Sequence, residues 1–226
     1  MKKFISVILI LCIMFSCAVT VTAYAEDGEE QQIIQEDEQQ EQEKQETQYV
    51  AKMYICSRII ILGHVWLYFE NLTDENITIG CYNLEPEQGV SVGTFLFTRY
   101  NGGGIYYNIE TYCGHKHSLK RTVSQSMMLT KEQLEKVNKK ILASNSWTPF
   151  TNCGLFATKV WNSVSDRHIP YAVFPILTKI AIKRHNEGVP NFFVPSKEQC
   201  FRQKGRKDKA RLKQVNGASL LWGIGY

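Results

Sequence analysis

Gly63-His64-Val65-Trp66-Leu67-Tyr68-Phe69-Glu70-Asn71 is the stretch on which the reading of the fold turns. Val65, Leu67 and Phe69 alternate with His64, Trp66 and Tyr68, a period of two that predicts a strand with His64 at its start. The β-branched run at 59–61, extended by Leu62, leads into it. The six residues 71–76 are turn chemistry, and Ile77-Thr78-Ile79-Gly80-Cys81-Tyr82-Asn83 reads as the returning strand. The two segments are expected to pair as a hairpin. If the chain turns midway between Asn71 and Asn76, the residue facing His64 lies close to Asn83.

Working outward, residues 90–100 and 105–112 form a second candidate strand pair around Asn101-Gly102-Gly103-Gly104, whose residues tolerate positive φ. The period then changes. Thr130 followed by Gln133 is a capping box, and Leu134, Val137 and Ile141 recur at helical spacing behind it. A second helix is expected from Thr151-Asn152-Cys153, with Thr151 or Asn152 as cap and Leu155, Phe156, Val160, Trp161 and Val164 as its apolar residues. A third starts at Pro175, a favoured first helical residue, and stops at Gly188. Strands followed by helices predict an α+β domain, a small antiparallel sheet packed against helices.

The flanks differ in material. Lys2-Lys3, an apolar run to about Val19 and Ala23-Tyr24-Ala25 make residues 1–25 a cleavable secretory signal peptide, with an uncleaved anchor or a lipid anchor at Cys17 as alternatives. No later stretch reads as a membrane span. Residues 26–48 hold ten acidic side chains and one basic, Lys44, with Ile33 and Ile34 as their large apolar residues. Such a segment buries too little to offset its ordering entropy and is expected to be a disordered linker. The rest of the chain is strongly basic although the whole 226-residue sequence is only +4. The expected domain is 49–195. Residues 196–226 are expected to be a basic tail, because 197–213 set eight basic side chains against Glu198 and Asp208 with little apolar periodicity. Exposed positive charge of this kind suits an anionic cell-surface polymer. Nucleic acid fits poorly with export and with the thin aromatic interleaving here.

Past the leader the cysteines are Cys56, Cys81, Cys113, Cys153 and Cys200. An odd number outside the cytoplasm leaves at least one thiol unpaired within the chain; the plain alternative is that they stay buried and reduced. Cys153 is set apart by its position. In the first turn of a helix the macrodipole and unsatisfied amides favour the thiolate, and the Cys153 amide is placed to meet an oxyanion. His64 is the candidate base and Asn83 the candidate residue to orient its ring. Cys113, His115 and His117 are a weaker candidate, a partial zinc site lacking a fourth ligand, and no metal or cofactor is expected. The strand aromatics Trp66, Tyr68, Phe95, Phe97, Tyr106 and Tyr107 read first as packing.

Gly63 to Asn71, followed by Thr151-Asn152-Cys153-Gly154-Leu155-Phe156-Ala157-Thr158-Lys159-Val160-Trp161, resembles the permuted branch of the NlpC-type papain-like superfamily, in which the histidine strand precedes the cysteine helix. Asn152, Cys153 and Phe156 are also similar to the Asn-Cys-x-x-Phe pattern of the lecithin:retinol acyltransferase group. The resemblance spans roughly 63–165 and implies Cys153 as nucleophile and His64 as base. Acyltransferase members use a histidine as third polar residue, and none lies between His64 and His115. The function expected is a secreted cysteine peptidase or amidase acting on an amide or acyl bond, with peptidoglycan peptides as substrate. The alternative is a non-catalytic module of the same fold that holds cell-wall polymer through its basic surface.

Overall fold

The computed structural model describes residues 47–58, 63–95, 104–116, 119, 122–146, 151–172 and 174–215. The backbone divides into two units, Met1–Thr47 and Gln48–Tyr226, and the second carries the fold described below. It is mixed α+β. Among the described residues nine strands and four helices follow in the order β1 (Tyr49–Arg58), β2 (His64–Asn71), β3 (Ile77–Ile79), β4 (Tyr82–Leu84), β5 (Gly89–Phe95), β6 (Gly104–Tyr107), α1 (Ile109–Lys116), β7 (Val123–Thr130), α2 (Lys131–Ala143), α3 (Cys153–Trp161), α4 (Pro175–Lys183), β8 (Phe201–Lys204) and β9 (Arg211–Gln214).

Seven strands make one antiparallel sheet in the order β7-β1-β2-β5-β6-β8-β9, and β3 and β4 pair separately. The central strand β2 is covered on both faces. Val65, Leu67 and Phe69 enter the main core with Met53 and Ile55 of β1, Leu134, Val137 and Ile141 of α2, Phe156, Val160 and Trp161 of α3, and Ile182 of α4. Trp66 and Tyr68 point the other way, into a smaller cluster with Tyr54, Cys56, Leu119 and Phe192. This is why β2 reads as an unbroken apolar run from Val65 to Phe69, with the polar His64 at its entrance. On the same second face α1 packs through Ile109 and Cys113 against Tyr106, Cys200 and Val215.

The helix starts follow the sequence. Thr130 Oγ1 accepts from the Gln133 N–H at 3.3 Å and Gln133 Oε1 from the Thr130 N–H at 3.0 Å, closing the expected capping box of α2. Asn152 caps α3, its Oδ1 accepting from the Leu155 N–H at 3.2 Å. Pro175 opens α4, which ends at Lys183, short of the expected Gly188.

Three expectations are corrected. The 77–83 segment does not return along β2; it folds on itself as the β3–β4 ladder, pairing Thr78 with Asn83, while β2 pairs with β1 and β5. Residues 105–112 are not one strand. Asn108 takes φ 66°, breaks the strand after Tyr107, and the chain enters α1. The basic stretch expected to be a solvated arm instead supplies β8 and β9, with Gln203 buried and its Nε2 donating to the Ser144 carbonyl at 3.0 Å. β1 and β7 are strands that the sequence reading left unassigned. The run at 59–62 and the loop around Asn101 lie outside the described residues.

Among the described residues no helix is long and apolar enough to cross a membrane.

Candidate functional site

The two faces of the sheet meet at the start of β2. Gly63, at φ 76°, turns the chain into the strand; a Cβ there would lie 3.4 Å from Pro175 Cβ at the head of α4. His64 follows, its carbonyl accepting from Ser57 Oγ at 3.2 Å. The imidazole stacks on the Trp66 indole, ring centroids 5.6 Å apart and planes 15° from parallel. Trp66 therefore fixes the plane in which the ring can approach its partners.

Those partners are an acid and a thiol. His64 Nε2 lies 3.2 Å from Oε1 of Glu110, in the first turn of α1. Glu110 is 1% exposed, and its second oxygen accepts from Ser91 Oγ at 2.8 Å. With Nε2 committed to Glu110, Nδ1 is the ring nitrogen left for Cys153, with which the imidazole also hydrogen-bonds. Cys153 is the first residue of α3 and is 6% exposed. The N–H groups of Val65 and Gly154 complete its surroundings by donating to sulfur.

The acid's berth depends on a missing side chain. A Cβ at Gly93 in β5 would fall 1.7 Å from Glu110 Oε1, 2.9 Å from its Cδ and 3.4 Å from His64 Nε2. Gly93 is thus the gap in the sheet through which α1 delivers its carboxylate to the imidazole.

The electrostatics follow from this packing. Burial pushes the Cys153 thiol up, but the His64 charge and hydrogen bond, with the Val65 and Gly154 amides, outweigh it and hold the thiol below its ordinary value. Burial pulls His64 down, yet the Cys153 sulfur and then Glu110 raise it to about 10. The two groups titrate as a coupled pair whose favoured form is thiolate and imidazolium. The other thiols go the opposite way. Burial pushes up Cys56, Cys81 and Cys200, the last to about 12. Cys153 carries a thiol as Cys56, Cys81 and Cys200 do, and is distinguished from them by its surroundings.

Of the residues singled out from sequence, His64 and Cys153 are brought together and Asn83 is not. Asn83 is exposed on β4 opposite Thr78, because the hairpin that was to carry it back along β2 does not form. The residue that orients His64 is Glu110, which the sequence reading placed inside a strand. Two signals pointed to it: Asn108, a helix-entry residue breaking an aromatic run, and a glycine in the middle of the apolar strand 90–95. For the partial zinc site, Cys113 is buried in α1, while the His115 side chain and His117 lie outside the described residues. Among the described residues no three His, Cys, Asp or Glu side chains are gathered to hold a metal ion.

No protein-family model matches the chain, and no curated protein and no solved structure matches it either.

Proposed function

We propose that the chain is a secreted thiol hydrolase of the permuted papain-like kind, cleaving an amide or acyl bond with Cys153, His64 and Glu110, and that peptidoglycan peptides are its substrate. The observation that carries the reading is the line from Glu110 through His64 to a thiol held below its ordinary value at the first residue of a helix. Buried cysteines without a task move the other way, as Cys56 and Cys200 do.

In this mechanism the Cys153 thiolate attacks the acyl carbon, a C–S bond forms, and the carbonyl electrons pass to oxygen, which meets the Cys153 amide at the head of α3. As the tetrahedral intermediate collapses, the scissile C–N bond breaks and His64 gives its Nδ1 proton to the leaving amine. His64 then takes a proton from water, which adds to the thioester; the C–S bond breaks, releasing the carboxylic acid and restoring the thiolate. Glu110 holds the ring in one orientation and favours its charged form throughout. Under this proposal the expected leader at 1–25 directs the chain out of the cytoplasm.

The test is mass spectrometry of muropeptides incubated with the purified protein. Wild type is expected to cleave, Cys153→Ala and His64→Ala to be inactive, and a peptide ester to leave an acyl adduct on Cys153. Cleavage that survives intact in Cys153→Ala sinks the reading.

One observation favours the binding-module alternative. The β8–β9 hairpin crowds cations so closely that Lys204 is held below its ordinary value, chiefly by Arg202, with Lys213 and Arg211 adding to it. Under that alternative wall binding persists in Cys153→Ser and collapses when these cations are neutralised.

A further inference from the structure

The helix α4 is apolar on the wrong side. Thr178 and Ile182 face the protein, as an amphipathic helix requires, but the opposite face presents Ile176, Leu177 and Ile180, and the residues leading into the helix add Tyr171 and Phe174. These five side chains are between 40% and 66% exposed. A contiguous exposed apolar patch of this kind marks a surface that meets something.

Charge says what it meets. Between Arg167 and Asn186 there is no acidic residue, whereas Lys179, Lys183 and Arg184 lie on α4 or its C-cap, the last two on the exposed face beyond Ile180. Aromatic and aliphatic side chains at one end of a short helix, followed by cations on the same face, are the chemistry of an interfacial helix on an anionic bilayer. A protein groove would have to match three like charges around an apolar ridge that offers it few hydrogen-bonding side chains.

We propose that α4, with Tyr171 and Phe174 ahead of it, forms a membrane-docking face that seats on anionic lipid headgroups, with Phe174, Leu177 and Ile180 entering the acyl boundary and Lys179, Lys183 and Arg184 meeting the headgroups. The helix borders the thiol through its buried side. Pro175 packs at Gly63, beside His64, and the Ala172 carbonyl and Thr178 Oγ1 lie 3.6 Å and 3.3 Å from where a Gly154 Cβ would stand.

The experiment is co-sedimentation of the unit from Gln48 onward, which holds the whole described core and lacks the apolar leader that binds vesicles by itself. The probes are vesicles of phosphatidylglycerol with phosphatidylcholine, and of phosphatidylcholine alone. Wild type is expected to bind the mixed vesicles. Affinity should fall at least about tenfold in Phe174→Ser/Leu177→Ser/Ile180→Ser, and by about fivefold for each of Lys179, Lys183 and Arg184 changed to Gln. All six side chains are half-buried or exposed, so the thermal midpoint should stay near wild type, which separates lost docking from lost folding. Cys153→Ser should bind as wild type does, so docking stands or falls apart from the thiol chemistry. No sedimentation of wild type overturns the proposal, and so does undiminished binding of the apolar triple variant. A dimer in gel filtration that the triple variant dissolves also overturns it, assigning the face to a second copy of the chain.

Discussion

Replacing Gly93 by alanine adds one methyl group where β5 lets the Glu110 carboxylate through. The added carbon would stand 1.7 Å from Oε1, far inside any contact, while the strand backbone itself accepts alanine. To reach an ordinary separation the oxygen must withdraw by roughly 1.5 Å, which breaks its 3.2 Å bond to His64 Nε2. A hydrogen bond to a charged group contributes about 1.5–3 kcal/mol, so if it acts fully in the transition state kcat/KM falls roughly tenfold to a hundredfold. Overpacking should also lower global stability, by about 1–3 kcal/mol. The assay is the rate of Cys153 alkylation by iodoacetamide across pH, followed by mass spectrometry, with the His64 ring titrated by NMR in parallel. In Gly93→Ala the His64 midpoint should drop and the rate at about pH 6.5 should fall with it. A variant that folds, keeps the wild-type His64 midpoint and alkylates at the wild-type rate would refute the claim that Gly93 exists to admit Glu110.

Glu110→Gln makes the same cut without crowding, and the sign can be worked through. His64 is raised, so its stabilising contribution is complete below its unfolded value, about 6.5, and is lost as pH rises through about 10. Removing the carboxylate should move that alkaline loss down by about 1–3 pH units. Cys153 is lowered, so its contribution is present above its unfolded value and is lost as pH falls through the folded one; His64 stays charged on that acid limb, so the pH range over which the ion pair persists narrows from the alkaline end alone, as stability curves against pH will show. In wild type at near-neutral pH a mild electrophile should label Cys153 and spare Cys56 and Cys200, which burial keeps protonated; equal labelling of all three in native protein would contradict this. Asn152→Ala removes the α3 cap and should lower stability by about 1 kcal/mol in urea unfolding while slowing alkylation of Cys153. Truncation after Ser196, harmless to a domain with a solvated tail, should here abolish folded protein, because it strips β8 and β9 from the sheet and leaves Tyr106 and Cys113 without Cys200 and Val215.

What the sequence made legible was local. The strand beginning at His64, the Thr130 and Gln133 box and the Asn152 cap each rest on residues within a few positions of one another, and each appears as written. What it hid was pairing at a distance. Asn83 was placed by assuming that the next apolar segment returns along β2, whereas β2 finds its partners in β1, which precedes it, and β5, beyond the small β3–β4 ladder. Glu110 reaches His64 only because β5 brings Gly93 alongside β2 and α1 folds over that gap. The cations of 201–214 masked a strand pair because so short a hairpin at a sheet edge is charged on its open side, which also discourages other chains from adding to it.

The place of β8 in the sheet ties chemistry to the order of synthesis. Pairing of β6 with β8 joins Tyr107 to Phe201, and Asn108, just ahead of α1, donates through Nδ2 to the Gln199 carbonyl at 3.0 Å. The base and the nucleophile are both made well before these contacts exist, yet the helix bearing Glu110 closes onto Cys200 and Val215, among the last residues of the fold. A growing chain therefore holds Cys153 and His64 before the helix that carries Glu110 has its last packing partners, and the full site waits until β8 and β9 have been made. Ripening of the nucleophile is in this sense a proofreading of completeness: fragments that end early carry the cysteine but not the means to arm it.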